Sequence, residues 1–254
     1  MEFLSLDIML LLFVVALIAG CIDTLAGGGG LLTIPALILS GIPPLSVLGT
    51  NKFQAFVGTL TATFIMFKKK KITFSEVKYL MLYAFIGSTL GTFVVQFINT
   101  EVLNFIIPFV LFIIGLYFLF MPKASTIDTS AKISEKKYHF LVVPVIGFYD
   151  GMFGPGTGSF YSLSAVALRG YNLIKATILA KSMNFATNVA SMIIFLMYGN
   201  IVFAVGAVMM LGQFIGAYVG SNILFKINPN HLRVIVVVMC FLMLIKYVHQ
   251  MGWI

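Results

Sequence analysis

Residues 8–30 read IMLLLFVVALIAGCIDTLAGGGG: an apolar run, one aspartate two-thirds of the way along, and four consecutive glycines at the end. The apolar segment that contains this run covers about residues 4–24, which matches the roughly 20 residues needed to cross the hydrocarbon core of a bilayer. Four glycines at that depth interrupt a helix, and unpaired backbone is tolerated inside a membrane only where it is buried in protein or lines a cavity. The stretch therefore predicts a membrane helix that breaks beside a cavity.

The rest of the chain has the same apolar character. Of its 254 residues 60% are apolar and 9% are charged, whereas about a quarter of the residues of a soluble domain are charged. Much of the formal charge of +8 lies in the lysines at 68–71 and in the linker 122–137, and such basic loops mark the cytoplasmic side of a membrane protein rather than a nucleic-acid surface. The composition excludes a soluble fold. Cys21 and Cys240 lie far apart and show neither a disulfide framework nor a metal-binding spacing, so we expect no metal and no cofactor.

Charges, Gly/Pro pairs and asparagines divide the apolar sequence into five segments per half. These segments must be helices, because only helices and closed barrels satisfy their backbone in lipid and the alternating polarity of barrel strands is missing here. We predict an all-α polytopic membrane protein with about eight transmembrane helices and with short helices broken by glycine. The predicted segments are 4–24, 30–40, 47–67, 77–98, 102–121, 138–150, 158–168, 176–198, 201–225 and 231–248.

The two halves of the chain repeat one another at a nearly constant spacing. The matched positions hold aspartates, lysines and paired glycines, which chance similarity between apolar helices does not readily produce. The pairs are Asp23 with Asp150 and Gly27 with Gly154 at an offset of 127, and Lys52 with Lys181, Gly87 with Gly216 and Gly91 with Gly220 at an offset of 129. The pattern indicates an internal duplication, with a first membrane repeat at 4–121, a cytoplasmic linker at 122–137 and a second membrane repeat at 138–250.

The basic loops predict opposite orientations for the two repeats. If the loops 68–78 and 122–137 are cytoplasmic, the first two short segments of the second repeat form a hairpin that returns to the cytoplasmic side near Arg169. The uncharged turn 198–200 then lies outside, although it corresponds to the loop that holds the four lysines. This reversal is what an inverted repeat predicts.

Two aspartates and two lysines are the candidate functional charges. Asp23 and Asp150 lie at the ends of membrane segments, where an ionisable group is costly to bury and commonly marks an ion path, although they could also cap a helix or pair with a lysine for structure. Lys52 and Lys181 open equivalent segments, where a positive charge opposes the helix dipole, although they could also extend to the membrane interface. We predict that the lysines point into a shared cavity, and that the aspartates neutralise them or carry protons.

Glycine-rich breaks follow both aspartates, at 27–30 and at 154–159. A helix that starts at such a break directs unpaired N–H groups and the positive end of its dipole at an anion. A tight turn with close helix packing is the alternative. A nucleotide-binding loop is not, because neither break ends in the lysine followed by serine or threonine that such a loop requires. The candidate binding residues are Gly28, Gly29, Gly156 and Gly158 in the breaks and Asn51, Gln54, Asn184 and Asn188 beside the lysines.

These motifs resemble the sulfite exporter TauE/SafE family. The first-half signature is GCIDTLAGGGG at 20–30 with GIPP at 41–44 and GTNK at 49–52, and the second-half signature is DGMFGPGTGS at 150–159 with the stretch 181–188. The resemblance covers about residues 8–248. It implies a protein of the inner or plasma membrane with roughly eight helices, which moves sulfite, sulfonates or related organosulfur anions and is coupled to the proton gradient.

We therefore predict a multi-pass secondary transporter of small anions in the cell membrane, and not an enzyme. The particular anion, the direction of transport and a homo-oligomeric state stay open. The predicted partners are the anion, protons and the lipid bilayer, without nucleic acid. A non-transporting scaffold or assembly protein is the alternative, and a membrane enzyme is a weaker one because no Ser/His/Asp or metal cluster occurs at motif spacing.

Overall fold

The structure is a computed structural model that describes residues 5–120, 127–224, 237, 238, 240–246 and 249, and every regular element among them is helical. The predicted all-α class is thereby confirmed for these residues. A π-helical turn, Tyr138–Val142, joins α6 and α7 without a break. The helices are α1 (Leu6–Ala26), α2 (Gly30–Leu39), α3 (Pro44–Lys68), α4 (Phe74–Val95), α5 (Thr100–Phe120), α6 (Glu135–Lys137), α7 (Val143–Met152), α8 (Thr157–Arg169), α9 (Leu173–Met197) and α10 (Phe203–Ile223).

Within the described residues, five helices are long and apolar enough to cross a membrane: α1, α4, α5, α9 and α10. α3 has 25 residues, the same number as α9. The helices that follow the glycine breaks are shorter, with 10 residues in α2 and 13 in α8, so they rise only about 15 and 20 Å along their axes. The count of about eight crossing helices stays a prediction, because the predicted segment 231–248 lies largely outside the described residues.

Large apolar side chains cover the outside of the bundle. Leu90 in α4, Phe109 in α5 and Phe214 in α10 are 57%, 56% and 49% exposed. A soluble protein rarely exposes apolar surface on this scale, whereas lipid chains are as apolar as these side chains. Polar side chains such as Gln54 and Thr92 are fully buried instead. This inversion of the usual arrangement fits a bilayer as the surrounding solvent.

α1 lies along α10, and α7, the equivalent of α1 in the second half, lies along α4. Four glycines allow the close approach, because a side-chain carbon at any of them would meet the backbone of the facing helix. The contacts are Gly87 with Pro144, Gly91 with Phe148, Gly216 with Leu17 and Gly220 with Cys21. The two sets are equivalent, since the facing residues Leu17 and Pro144 are themselves 127 positions apart.

α3 and α9 cross at the centre of the bundle, where equivalent residues of the two halves meet. The rings of Phe56 and Phe185 stack with their centroids 5.9 Å apart. Asn188 Nδ2 donates to Thr59 Oγ1 at 3.4 Å. Each contact joins residues 129 positions apart, so the crossing of α3 and α9 relates the first half of the chain to the second.

Contacts between helix ends show which of them share a face of the molecule. Arg169, at the end of α8, donates to a backbone carbonyl just before α6, so the segment from α6 to α8 is a hairpin whose ends meet, as predicted. Lys69, after α3, donates to Asn222 Oδ1 at the end of α10 at 3.0 Å. Asn200, between α9 and α10, donates to Gln96 Oε1 at the other end of α4 at 2.8 Å. The basic loop and the 198–200 turn therefore lie at opposite ends of α4.

Candidate functional site

Two buried ion pairs join the halves of the chain. Lys52 Nζ in α3 lies 2.8 Å from Asp150 Oδ1 in α7. Lys181 Nζ in α9 lies 3.4 Å from Asp23 Oδ2 in α1, and it also donates to the backbone carbonyl of Asp23. Each lysine is thus held by the aspartate of the other half. The structure brings together all four charges that the sequence singles out.

The two pairs differ in how deeply they are buried. The side chains of Lys52 and Asp150 are 2% and 5% exposed, whereas those of Lys181 and Asp23 are 1% and 21% exposed. Neither lysine extends to the membrane interface, so that alternative for their role is wrong. The asymmetry within an otherwise equivalent arrangement makes the Lys181 pair a natural control for the Lys52 pair.

Both lysines lie two turns inside their helices, and the prediction that they open these helices is wrong. α3 begins at Pro44 and α9 begins at Leu173, in each case eight residues before the lysine. Proline is favoured in the first turn of a helix because it has no N–H to leave unpaired. Asn172 caps α9 by accepting a backbone N–H at 2.9 Å. The energetic cost of Lys52 and Lys181 therefore comes from burial and not from the helix dipole.

The two glycine breaks meet at the centre of the molecule. Gly27 and the equivalent Gly154 have φ angles of 74° and 95°, in the left-handed region that other residues rarely adopt. A side-chain carbon at Gly27 would meet the backbone of Gly158 and Ser159. Ser159 Oγ also donates to the carbonyl of Ala26. Tight turns and close packing, the structural alternative for these glycines, are therefore present, and they bring both breaks next to the ion pairs.

Each aspartate also holds the short helix that follows it. Asp150 Oδ1 accepts from Thr157 Oγ1 in the first turn of α8 at 2.8 Å. Asp23 Oδ1 accepts from the backbone N–H of Gly29 at 3.3 Å, next to the start of α2. A carboxylate is favoured at a helix N-terminus, where the unpaired N–H groups and the positive end of the dipole lie. The aspartates thus fix the position of the breaks as well as that of the lysines.

A small polar cavity lies between the ion pairs and the glycine breaks, and we term it the ion-pair cavity. Its volume is about 30 Å³, which is room for a water molecule or two and too little for an anion of several heavy atoms. Gly28 and Lys181 do not line it, and Lys181 is connected to it through Asp23. The site residues predicted from the sequence that do line this cavity are Asp23, Gly29, Asn51, Lys52, Gln54, Asp150, Gly156, Gly158, Asn184 and Asn188.

Three acceptor oxygens at the ion-pair cavity have no partner among the described residues: Gln54 Oε1, Asp150 Oδ2 and Asn184 Oδ1. The other end of the Gln54 amide is held, because Nε2 donates to Asn51 Oδ1 at 3.0 Å. Thr33 Oγ1 donates to the same Asn51 oxygen at 2.6 Å. A buried acceptor without a donor costs about 1–3 kcal/mol. These unpaired oxygens therefore add to the free-energy cost of the present, tightly packed conformation.

Comparison with known proteins places these features in a family. The sequence model described as "Sulfite exporter TauE/SafE" matches residues 12–247. The chain belongs to this family.

It is 43% identical over 250 residues to a "Probable membrane transporter protein" of Haemophilus influenzae, with 98% of both chains covered. Over 239 residues it is 40% identical to the "Probable membrane transporter protein YfcA" of Escherichia coli K12, covering 94% of this chain and 89% of the relative. A further relative, "Probable membrane transporter protein ORF9" of Sinorhizobium sp., is 42% identical over 222 residues, or 87% and 85% of the two chains. The resemblance read from the sequence is thereby confirmed, and the chain is a member of a membrane transporter family.

Gln213 is a cavity residue of this TauE/SafE family member that the sequence repeat does not identify. Gln213 lines the ion-pair cavity from α10 and is 3% exposed. Its side-chain oxygen lies close to Gly20 and Gly58, so that a side-chain carbon at either glycine would come within 2.6 Å of it. A lone amide in the middle of an apolar membrane segment was the available signal, because polar groups in such segments face the protein interior.

Proposed function

We propose that this member of the TauE/SafE family is a secondary transporter of small anions, with sulfite, sulfonates or related organosulfur anions as the substrate class and protons as the coupling ions. One observation carries the proposal: two buried lysines, each held by an aspartate of the other half, flank a polar cavity at the centre of the bundle. Three of these charges are buried and Asp23 is partly buried, so that together they carry a large desolvation penalty. Transport of an anion through this point gives those charges a function.

The two lysines are the proposed anion-binding groups. Lys52 reaches the ion-pair cavity directly, and Lys181 becomes available when Asp23 releases it. The backbone N–H groups at the starts of α2 and α8 add positive potential from the glycine breaks. The proposed supporting residues are Gly28, Gly29, Gly156 and Gly158 in the breaks and Asn51, Gln54, Asn184 and Asn188 on α3 and α9.

The two aspartates are the proposed proton-coupling groups. With Asp150 charged, Lys52 is already neutralised and needs no anion. A proton on Asp150 cancels that charge, and Lys52 then requires an anion as its partner. Proton and anion therefore promote one another's binding and cross together as a charge-balanced pair, so that a pH gradient drives the anion. The same reasoning applies to Asp23 and Lys181.

Transport requires a movement, because the ion-pair cavity is too small for the anion in this conformation. We place the movement at the crossing of α3 and α9, with one inverted repeat rocking against the other about the central site. The contacts that join equivalent residues there support such an axis. The relatives are named as probable membrane transporter proteins, which supports a transporter over a scaffold or an enzyme.

The proposed location is the cell membrane, with the basic loops 68–78 and 122–137 in the cytoplasm. Basic residues are retained on the cytoplasmic side during insertion. The hydrogen bond between Lys69 and Asn222 supports this assignment for the C-terminal end of α10 as well.

Sulfite flux into proteoliposomes under an imposed pH gradient tests the proposal. The variants are Lys52→Ala and Lys181→Ala, and the control is Lys136→Ala, which removes an exposed lysine from the linker. We expect gradient-dependent flux that both cavity variants lose and the control keeps. A panel of sulfonates, thiosulfate and carboxylates then identifies the preferred anion.

Other outcomes point to other functions. Flux that survives both lysine substitutions but not Asp23→Asn or Asp150→Asn indicates a cation carrier and contradicts anion binding at Lys52 and Lys181. Absence of flux for the whole panel, with correctly folded protein, contradicts this substrate class. If the lysine variants then still bind the partners of the native protein, the scaffold alternative is favoured.

A further inference from the structure

A second cavity opens at the face where α4 and α6 begin and α8 ends, and we term it the vestibule. Its volume is about 200 Å³, several times that of the ion-pair cavity. Charged side chains line its mouth and apolar ones line its deep end. The residues that define it are Glu76, Glu135, Arg169 and Lys175 at the mouth and Leu179 and Met183 at the deep end. The ion-pair cavity shares none of these residues.

The vestibule follows one face of α9 into the membrane. Lys175, Leu179 and Met183 are four residues apart, so they lie above one another on the helix and span about 12 Å along its axis. The exposed Lys175 gives way to Leu179 at 5% exposure and Met183 at 0%. Lys181 lies between the last two in sequence, so the vestibule reaches the depth of the ion pairs.

α9 borders both cavities at this depth. Asn184 lines the ion-pair cavity and its neighbour Met183 lines the vestibule. Met183 is also the equivalent of Gln54, 129 positions earlier, which lines the ion-pair cavity from α3. Met183 belongs to a buried apolar cluster that also contains Tyr161. The two cavities are thus separated by an apolar layer that contains Met183.

At the equivalent positions toward the opposite face, the described side chains are buried. Leu179 corresponds to Thr50, which is fully buried and whose Oγ1 accepts from the backbone N–H of Val202 at 3.0 Å. The exposed Glu76 at the vestibule mouth corresponds to Val205, which is 2% exposed. The two halves therefore differ at these positions: Glu76 is exposed at the vestibule mouth, whereas Thr50 and Val205 are buried.

We infer that the vestibule is the passage by which the substrate anion moves between the ion-pair cavity and the face where α4 and α6 begin, which we term the basic face. Met183 closes this passage in the present conformation. The inference rests on the proposed function and adds its route. The mouth carries both basic side chains, Arg169 and Lys175, and acidic ones, Glu76 and Glu135. Opposed charges admit an anion without holding it tightly, which a passage requires.

Cysteine labelling tests the route. A negatively charged, membrane-impermeant thiosulfonate reagent is added to Leu179→Cys and to the matched Thr50→Cys, in vesicles of known orientation. The native protein, with Cys21 and Cys240, gives the background. We expect Leu179→Cys to react from the basic face and to lose anion flux when it does, whereas Thr50→Cys does not react from either face.

Two results overturn the route. Anion flux that continues after Leu179→Cys is fully labelled shows that the anion passes elsewhere. A reactive Lys175→Cys at the mouth beside an unreactive, folded Leu179→Cys shows that the vestibule does not reach the depth of the ion pairs. Absence of flux in the unlabelled native protein is a different result, because it contradicts the proposed function itself.

A second variant pair tests Met183 as the closing residue. Ala55→Cys places a thiol at the ion-pair cavity, which Ala55 lines from α3. We expect it to react slowly from the basic face, and several-fold faster when Met183→Ala is added. Equal rates with and without Met183→Ala would show that Met183 does not separate the two cavities. Leu80→Ala, which removes a vestibule-lining side chain from α4 and not from α9, is the control for a general loss of packing.

Discussion

A buried ion pair such as Lys52 with Asp150 costs more free energy to break than to remove whole, because a lone buried charge keeps its desolvation penalty. We expect Lys52→Met to lower the free energy of unfolding by about 3–5 kcal/mol, since it leaves Asp150 unpaired. The double variant Lys52→Met with Asp150→Asn should recover most of that loss and still lack anion flux. Thermal denaturation in detergent and the flux assay measure the two effects separately.

The pair of Lys181 with Asp23 is the control for the pair of Lys52 with Asp150. Asp23 is 21% exposed and Asp150 is 5% exposed, so water can reach the charge that Lys181→Met leaves behind. We expect a smaller loss of stability from Lys181→Met than from Lys52→Met. If the stable double variant at Lys52 and Asp150 still transports the anion, the pair is structural and Lys52 does not bind substrate.

The four charges could be identified from the sequence, but their pairing could not. Asp23, Asp150, Lys52 and Lys181 are recognisable because charges are rare in membrane segments and these four recur in both halves. A repeat shows which residues are equivalent and not which residues touch, so the exchange of partners between halves is visible only in the structure. Gln213 was missed for another reason: it has no polar counterpart in the first half, where Ala84 stands 129 positions earlier.

Helix pairs in this bundle are held at close range by glycine, and that spacing is testable. A side-chain carbon at Gly87 would meet the carbonyl oxygen of Pro144, and one at Gly216 would meet that of Leu17. Gly87→Ala and Gly216→Ala must therefore push α7 from α4 and α1 from α10. We expect each to lower the free energy of unfolding by about 1–3 kcal/mol, the usual cost of overpacking, as measured by thermal denaturation in detergent.

Gly115→Ala is the matched control for the two helix-packing glycines. The nearest atoms to a side-chain carbon at Gly115 belong to the ring of Phe241, at 3.3 and 3.4 Å, and a ring can shift where a backbone carbonyl cannot. We expect the free energy of unfolding of the Gly115→Ala variant to change little. If Gly87→Ala and Gly216→Ala behave like Gly115→Ala, the helices are free to separate and the close approach is not a requirement of the fold.

The helices themselves were largely predictable, and their exact starts were not. Apolar runs between charges and glycine breaks place the predicted segments close to the observed helices, because a bilayer demands helices of a set length and composition. The apolar pattern places the starts of α3 and α9 three residues late, at 47 and 176 instead of Pro44 and Leu173. Pro44 and the capping Asn172 are local signals that hydrophobicity alone does not use.

On the scale of the whole molecule, the halves complete one another. Each half supplies the glycine surface for a helix of the other, and each supplies the carboxylate for the lysine of the other. A movement that changes the angle between α3 and α9 therefore alters both ion pairs and both helix contacts together. Such linked contacts favour a few discrete arrangements over gradual deformation, which suits the proposed rocking movement.

Opposite orientation of the two repeats is the remaining whole-molecule prediction, and one pair of residues tests it. Lys70 and Gly199 are 129 positions apart, follow α3 and α9, and have left-handed φ angles of 53° and 72°. An inverted repeat places them on opposite sides of the membrane, whereas a parallel repeat places them on the same side. We expect an impermeant thiol reagent applied to intact cells to label Gly199→Cys and not Lys70→Cys, and to label both after permeabilisation.

A side-chain carbon at Gly199 meets no atom within 4 Å, so the cysteine costs only backbone strain there. Labelling of both variants in intact cells, or of neither, would place the equivalent loops on one side and refute the inverted arrangement together with the rocking movement built on it.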